Sequence, residues 1–154
     1  MSHAHHAAQP SVTRQALDAT RHCLTGCAIG EVVGLLISGW LGLTTEASVV
    51  AGIVLAFVFG YSFTFLPLLQ GGMALRTAAS LTLAADTISI VVMETVDNLV
   101  VLLVPGAMAA GLSDPLFWGS LIVGLVIAFA VAFPVNRWLI ARGRGHALAH
   151  GAHA

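Results

Sequence analysis

The sequence predicts an all-α integral membrane protein of four transmembrane helices with both termini cytoplasmic. Three observations predict it. Of 154 residues, 58% are hydrophobic and only 8% are charged, with a mean hydropathy of +0.94, whereas soluble domains carry about 25% charged residues. Apolar stretches recur at lengths that suit a bilayer crossing, about 20 residues at 1.5 Å each. The arginines fall only at the ends of those stretches, and there is no lysine. The net charge of −1 says little, because the charges are partitioned along the chain. No basic surface suited to nucleic acid is present.

The elements follow in order. Residues 1–20 form a polar tail with His3, His5, His6 and Pro10, turning helical near Val12. It is not a secretory signal, since the apolar run arrives late and no cleavage site follows it. Residues 21–142 form the membrane domain, and residues 143–154 a second flexible tail with His146, His150 and His153. The first crossing is Leu24 to Leu43, with Trp40 as an interface anchor. The second is Ala47 to Leu69, bent at Pro67, and a loop from Gln70 to Ala79 holds Arg76. The third is Leu81 to Val104, ending at Pro105-Gly106. The fourth is Leu116 to Ile140, with Trp118 and Trp138 near its ends and a proline kink at Pro134. Arg14 and Arg21 precede the first crossing, Arg76 separates the second from the third, and Arg137, Arg142 and Arg144 follow the fourth. Four crossings with both ends inside put every arginine on the cytoplasmic face of the inner membrane, as the positive-inside rule requires.

Gly52-Ile-Val-Leu-Ala-Phe57 matches Gly124-Leu-Val-Ile-Ala-Phe129, and both segments run in the same direction. A duplicated helical hairpin accounts for this, and so does chance in so apolar a chain.

The third crossing carries the chemistry. Asp86, Glu94 and Asp97 sit in it, with Asn98, and no basic residue accompanies them. A carboxylate at bilayer depth costs about 2.5–3.5 kcal/mol on insertion scales. Such acids survive where they face protein or water and are protonated, paired or bound to a cation. Asp86, Met93 and Asp97 share one stripe, with Glu94 one step round. On the first helix Cys23, Cys27 and Glu31 share a face at spacings of four, and Glu31 lies about 12 Å along the axis from Cys23. Its depth is expected to fall between Asp86 and the deeper Glu94 and Asp97. His22, Cys23 and Cys27 at the cytoplasmic entrance form a soft-ligand set suited to copper(I) or zinc. The alternative is two small residues buried in the bundle, and for the acids a structural network with Tyr61, Ser62, Thr64 and Asn98. A disulfide between the cysteines is not expected, since neighbouring helical turns aim their thiols poorly. Gly26, Gly30 and Gly34 recur at every fourth residue and let another helix approach closely. Their partner is either the acidic third helix or a second copy of the chain, so a homo-oligomer joined on that face is expected. The Pro134-to-Trp138 segment reads as an interface anchor, with Arg137 snorkelling to head groups.

The motifs His22-Cys-Leu-Thr-Gly-Cys27-x-Ile29-Gly30-Glu31, Phe59-Gly60-Tyr61, Met93-Glu94-x-x-Asp97-Asn98, Pro105-Gly106-Ala107-Met108 and Pro134-x-Asn136-Arg137-Trp138 together resemble a family of small prokaryotic membrane proteins, the domain of unknown function 4396. The resemblance covers roughly Arg21 to His150. It implies a multi-helix membrane protein and no particular activity.

From the residues, the expected function is cation handling. The ion is expected to be copper(I) or zinc, bound by His22, Cys23 and Cys27 and by the intramembrane Glu31, Asp86, Met93, Glu94 and Asp97, with protons as counter-ions. A proton-coupled exporter of organic cations is the first alternative, since the small multidrug transporters also have four helices and a functional glutamate in the first. A non-transporting accessory subunit is the second. No nucleophile–base pair or phosphate loop is visible, so an enzyme is not expected.

Overall fold

A computed structural model of the chain describes residues 11–142. Among them are four long helices and no strand: α1 (Val12–Leu41), α2 (Thr45–Gln70), α3 (Leu75–Leu103) and α4 (Pro115–Ala141), with a single 3₁₀ turn at Ala107–Ala109 between the last two. Three of them, α1, α2 and α4, are long and apolar enough to cross a membrane. The chain is thus an all-helical, multi-helix membrane protein. The histidines of both tails lie outside the described residues.

The helices begin earlier than the apolar runs alone imply. Ser11 caps α1, its hydroxyl accepting from the Arg14 N–H at 3.3 Å. The helix therefore takes in residues 12–20, in keeping with the expected turn to helix near Val12, and joins them to the first crossing. Ala16 and Ala19 pack there against Ile140 and Phe133 of α4, a contact that hydropathy cannot register. Similarly α3 starts at Leu75, leaving only a short turn after α2, where Gly72 adopts a positive φ of 83°. Thr44 and Asp114 cap α2 and α4 through their side-chain oxygens.

Consecutive helices pack antiparallel, α1 also packs on α4, and α1 meets α3 across the middle. One end of the bundle carries both described chain ends and the α2–α3 turn; the other carries the α1–α2 and α3–α4 connections. Interior positions on α2 and α4 are mostly small, and the outward faces are large and apolar. On α2, Gly52, Ala56, Gly60, Thr64 and Leu68 are buried while Val50, Val54 and Val58 are exposed. On α4, Gly124, Ala128, Ala132, Asn136 and Ile140 are buried while Ile122, Val126 and Val131 are exposed. The two buried series correspond residue for residue at a constant displacement. In lipid there is no hydrophobic drive between apolar helices, so close backbone approach over small residues holds the bundle together. Exposed hydroxyls at Thr25, Ser62, Thr87 and Thr95 donate to carbonyls four residues back, which leaves no bare donor towards lipid.

The tightest seam joins α1 to α2. A β-carbon at Gly26 would come within 2.6 Å of the Gly60 Cα, one at Gly34 within 2.6 Å of the Gly52 Cα, and one at Gly30 would strike the Ala56 backbone. The expected homo-oligomer on the face of Gly26, Gly30 and Gly34 is therefore corrected: α2 of the same chain fills that face. The glycines ask for a close neighbour, and the nearest in sequence supplies it through a short connection. The α1 acid and cysteines lie one step round, directed to α3 and α4.

At the end holding the chain termini, Asn136 is buried and its side-chain amide donates to Thr20 Oγ1 at 2.9 Å and to Ser89 Oγ at 3.0 Å. This ties α4 to α1 and α3 and corrects the reading of the Pro134-to-Trp138 segment as an anchor alone. Arg137 and Trp138 are exposed, as an anchor requires, and Arg142 lies 4.1 Å over the Trp138 ring.

Gly30→Val is expected to destabilise the bundle by roughly 1–3 kcal/mol through overpacking, read as a lowered unfolding midpoint in detergent micelles. Asn136→Ala should cost about 1–2 kcal/mol by removing both cross-helix hydrogen bonds, and Asn136→Gln should recover part of it.

Candidate functional site

Burial sorts the polar residues of α3 by face. Asp86, Ser89, Met93, Glu94 and Asp97 point inward, while Leu83, Ile88, Val91, Leu99 and Leu102 face out. The acids are thus held away from lipid, which is the arrangement their insertion cost demands.

Because α1 and α3 run in the same direction, their polar residues meet in register. Cys23 approaches Asp86 and Ser89, Cys27 approaches Glu94, and Glu31 approaches Asp97. Glu31 therefore sits level with Asp97, at the far end of the acidic stripe. The sequence had put it between Asp86 and the deeper pair, because depth was counted along each helix separately and α1 starts further out than its apolar core.

Glu31, Glu94 and Asp97 line one cavity of about 90 Å³, joined by Asn98 of α3 and by Ser48 and Ser120 of α2 and α4. Among the described residues, no Lys, Arg or His lines it. It lies at the end of the bundle away from the chain termini, with Thr45, Ala107, Met108 and Phe117 towards that end. The Asp97 carboxyl is 2% exposed, and neither of its oxygens has a hydrogen-bond partner. It faces the Glu31 carboxyl. Glu94 is 5% exposed, and its Oε1 also lacks a partner. Its Oε2 meets the Asn98 amide at 3.5 Å, while that amide donates to the Glu94 carbonyl at 2.8 Å. A cavity of this size holds several water molecules, so the acids have room for a solvated guest.

The other predicted residues lie below the cavity, towards the chain termini. Cys23 and Cys27 are free thiols, 1% and 2% exposed, in a buried cluster with Met93, Ile90, Ala56 and Ala128. They are not at an entrance, as the sequence reading had placed them, but in the middle of the packed bundle. His22 is exposed and its ring stacks on Phe63 with centroids 6.4 Å apart. Successive helical residues project about 100° apart, so His22 and Cys23 point to different sides and the three-residue soft-ligand set does not converge. Among the described residues, no three of the His, Cys, Asp and Glu side chains gather closely enough to hold a metal ion by themselves. Asp86 is fully buried near Cys23, about 16 Å along α3 from Asp97.

Sequence reasoning missed Ser48 and Ser120. Each precedes by four residues a buried glycine, Gly52 or Gly124, and so lies on the same inward face. That spacing was the available signal. It missed the role of Gly124 as well: a β-carbon there would overlap the Asp97 carboxyl. Glycine at this position is what lets the acid lie against α4.

Neither a characterised protein nor a solved structure matches the chain. A family model does match, over residues 13–145, nearly all the described chain. With its buried acids and its span of four packed helices accounted for, the protein belongs to the family described as domain of unknown function, DUF4396.

Proposed function

We propose that this protein handles a cation within the membrane, at the cavity lined by Glu31, Glu94 and Asp97. One observation carries this reading: three carboxyl-bearing side chains line a single cavity that no basic residue among those described shares. Carboxylates brought together in a low-dielectric interior repel one another strongly, and a bound positive charge is their natural counterpart. The protein crosses the inner membrane four times, with α3 as a crossing in its own right. Its inward acids and outward apolar face support that reading. Both termini are cytoplasmic, since Arg14, Arg21, Arg76, Arg137 and Arg142 gather at one end of the bundle. The cavity then lies nearer the outer face, and Asp86 nearer the cytoplasm.

Copper(I) or zinc is the ion that the sulfur atoms favour. Cys23, Cys27 and Met93 share one buried cluster, and Cys27 adjoins Glu94. Thiol and thioether below, with carboxylates above, make a series of ligands along the bundle through which a soft metal would pass, with protons as counter-ions. A second reading, a proton-coupled exporter of organic cations, is favoured by the size of the cavity, which exceeds what a bare metal ion fills. An accessory subunit whose acids only order the bundle is the outcome if neither guest binds.

Elemental analysis of purified protein separates these readings. Copper or zinc at roughly one per chain is expected in the wild type, lost in the Cys23→Ser/Cys27→Ser variant and reduced in Glu94→Gln and Asp97→Asn. Metal content unchanged in the cysteine variant rules out the soft-ligand reading. Resistance to organic cations that disappears in Glu31→Ala alone selects the exporter.

A further inference from the structure

The correspondence between the two helical hairpins extends into the cavity itself. Buried Ala16, Ala19, Thr20, Cys23 and Cys27 of α1 match buried Thr82, Ala85, Asp86, Ser89 and Met93 of α3 at one constant displacement, which also carries Glu31 onto Asp97. The α2-to-α4 displacement carries Ser48 onto Ser120, and Val49 onto Leu121, all four of them lining the cavity. Equivalent residues also meet each other across the middle of the bundle. Glu31 faces Asp97, Cys23 approaches Ser89, and Cys27 shares a cluster with Met93. Two copies of a unit whose equivalent residues touch are related by a two-fold axis, and here both hairpins run the same way, so the axis lies along the helices.

We infer that the cavity is a single site on this axis for a hard, oxygen-liganded divalent cation of the magnesium, manganese or calcium class. The inference rests on the cation reading above and names the ion differently from the soft-metal form of it. Its ligand set is made of equivalents: the Glu31 and Asp97 carboxyls, and the Ser48 and Ser120 hydroxyls. Two carboxylates balance a divalent charge. Each serine hydroxyl donates to the carbonyl four residues back, Ser48 to Thr44 at 2.9 Å and Ser120 to Leu116 at 2.8 Å, which leaves its lone pairs free to face a cation. Asp97, almost wholly buried and without a hydrogen-bond partner, is the acid most in need of one. Cys23, Cys27 and Met93 do not line the cavity, and among the described residues Met108 is the one sulfur-bearing side chain that does.

Hard cations of this class take carboxylate, hydroxyl and water oxygens, and magnesium keeps several waters while binding through one or two carboxylates. The cavity suits this, because no three acids converge closely enough to chelate a bare ion, while there is room for water beside it. Gly124, beneath the Asp97 carboxyl, is a positioning residue, and its equivalent Gly52 lies beside Glu31, where a β-carbon 3.7 Å from the Glu31 Cα would make ordinary contact. Glu94 breaks the symmetry, since Ala28 occupies the matching place on α1.

Manganese(II) binding to the purified full-length protein in detergent, followed by electron paramagnetic resonance, tests this. About one manganese per chain is expected, displaced by excess magnesium. Glu31→Gln and Asp97→Asn should each weaken binding roughly 10- to 100-fold, as loss of a ligand or of its support commonly does, and to a similar extent. Gly124→Ala should weaken it too, since its β-carbon would overlap the Asp97 carboxyl. Should an acid variant fail to fold, Ser48→Ala and Ser120→Ala carry the same test of equivalence. Manganese binding lost in only one member of an equivalent pair overturns the axial site. Zinc bound in place of manganese, and released in the cysteine variant, overturns this inference while the cation reading stands. Absence of manganese and magnesium binding overturns this inference, and absence of zinc and copper binding as well overturns the metal form of the cation reading.

Discussion

Carboxyl groups carried into an apolar bundle, three of them around a cavity that no basic side chain among the described residues lines, impose the main constraint on this structure. Every other choice accommodates it. The acids of α3 must turn inward, so the opposite face of that helix is left to Leu, Ile and Val. An inward stripe of acids needs space, and at Asp97 that space is left by Gly124, where a β-carbon would overlap the carboxyl.

The bundle is asymmetric in how tightly its halves close. Gly26, Gly30 and Gly34 bring α1 onto the backbone of α2, whereas the corresponding positions on α3 are Val92, Val96 and Val100. The α3–α4 pair is accordingly packed less closely than α1–α2. Two hairpins that share many buried positions therefore differ in their seams, one a close clasp and the other the acidic wall of the cavity. The extra residues of the α3–α4 connection, with its 3₁₀ turn, help line the end of that cavity.

Polar groups are divided into two layers by a plug of sulfur and hydrocarbon. Towards the chain termini lie Asp86, Ser89, Thr20 and Asn136, the last three joined by hydrogen bonds. Towards the opposite end lie Glu31, Glu94 and Asp97. Between them Cys23, Cys27, Ile90 and Met93 pack with small residues from α2 and α4. Any ion passing from one layer to the other would have to part this plug, and thiol and thioether groups are its most accommodating members for a soft ion. A hard ion would stay in the oxygen-lined cavity.

The sequence alone determined the membrane class, the helices and the inward turn of the α3 acids, because hydropathy and a carboxylate's cost in lipid are local properties of the chain. It also determined that Gly26, Gly30 and Gly34 need a close neighbour. Only the tertiary structure decided that this neighbour is α2 of the same chain, that Glu31 stands level with Asp97, and that His22 is turned away from Cys23. These are relations between helices, set by where α1 begins and by which backbone lies against which glycine. Helical periodicity fixes the direction of a side chain around its own axis, but leaves open the sliding of one helix along another, and that sliding is what assembles the cavity.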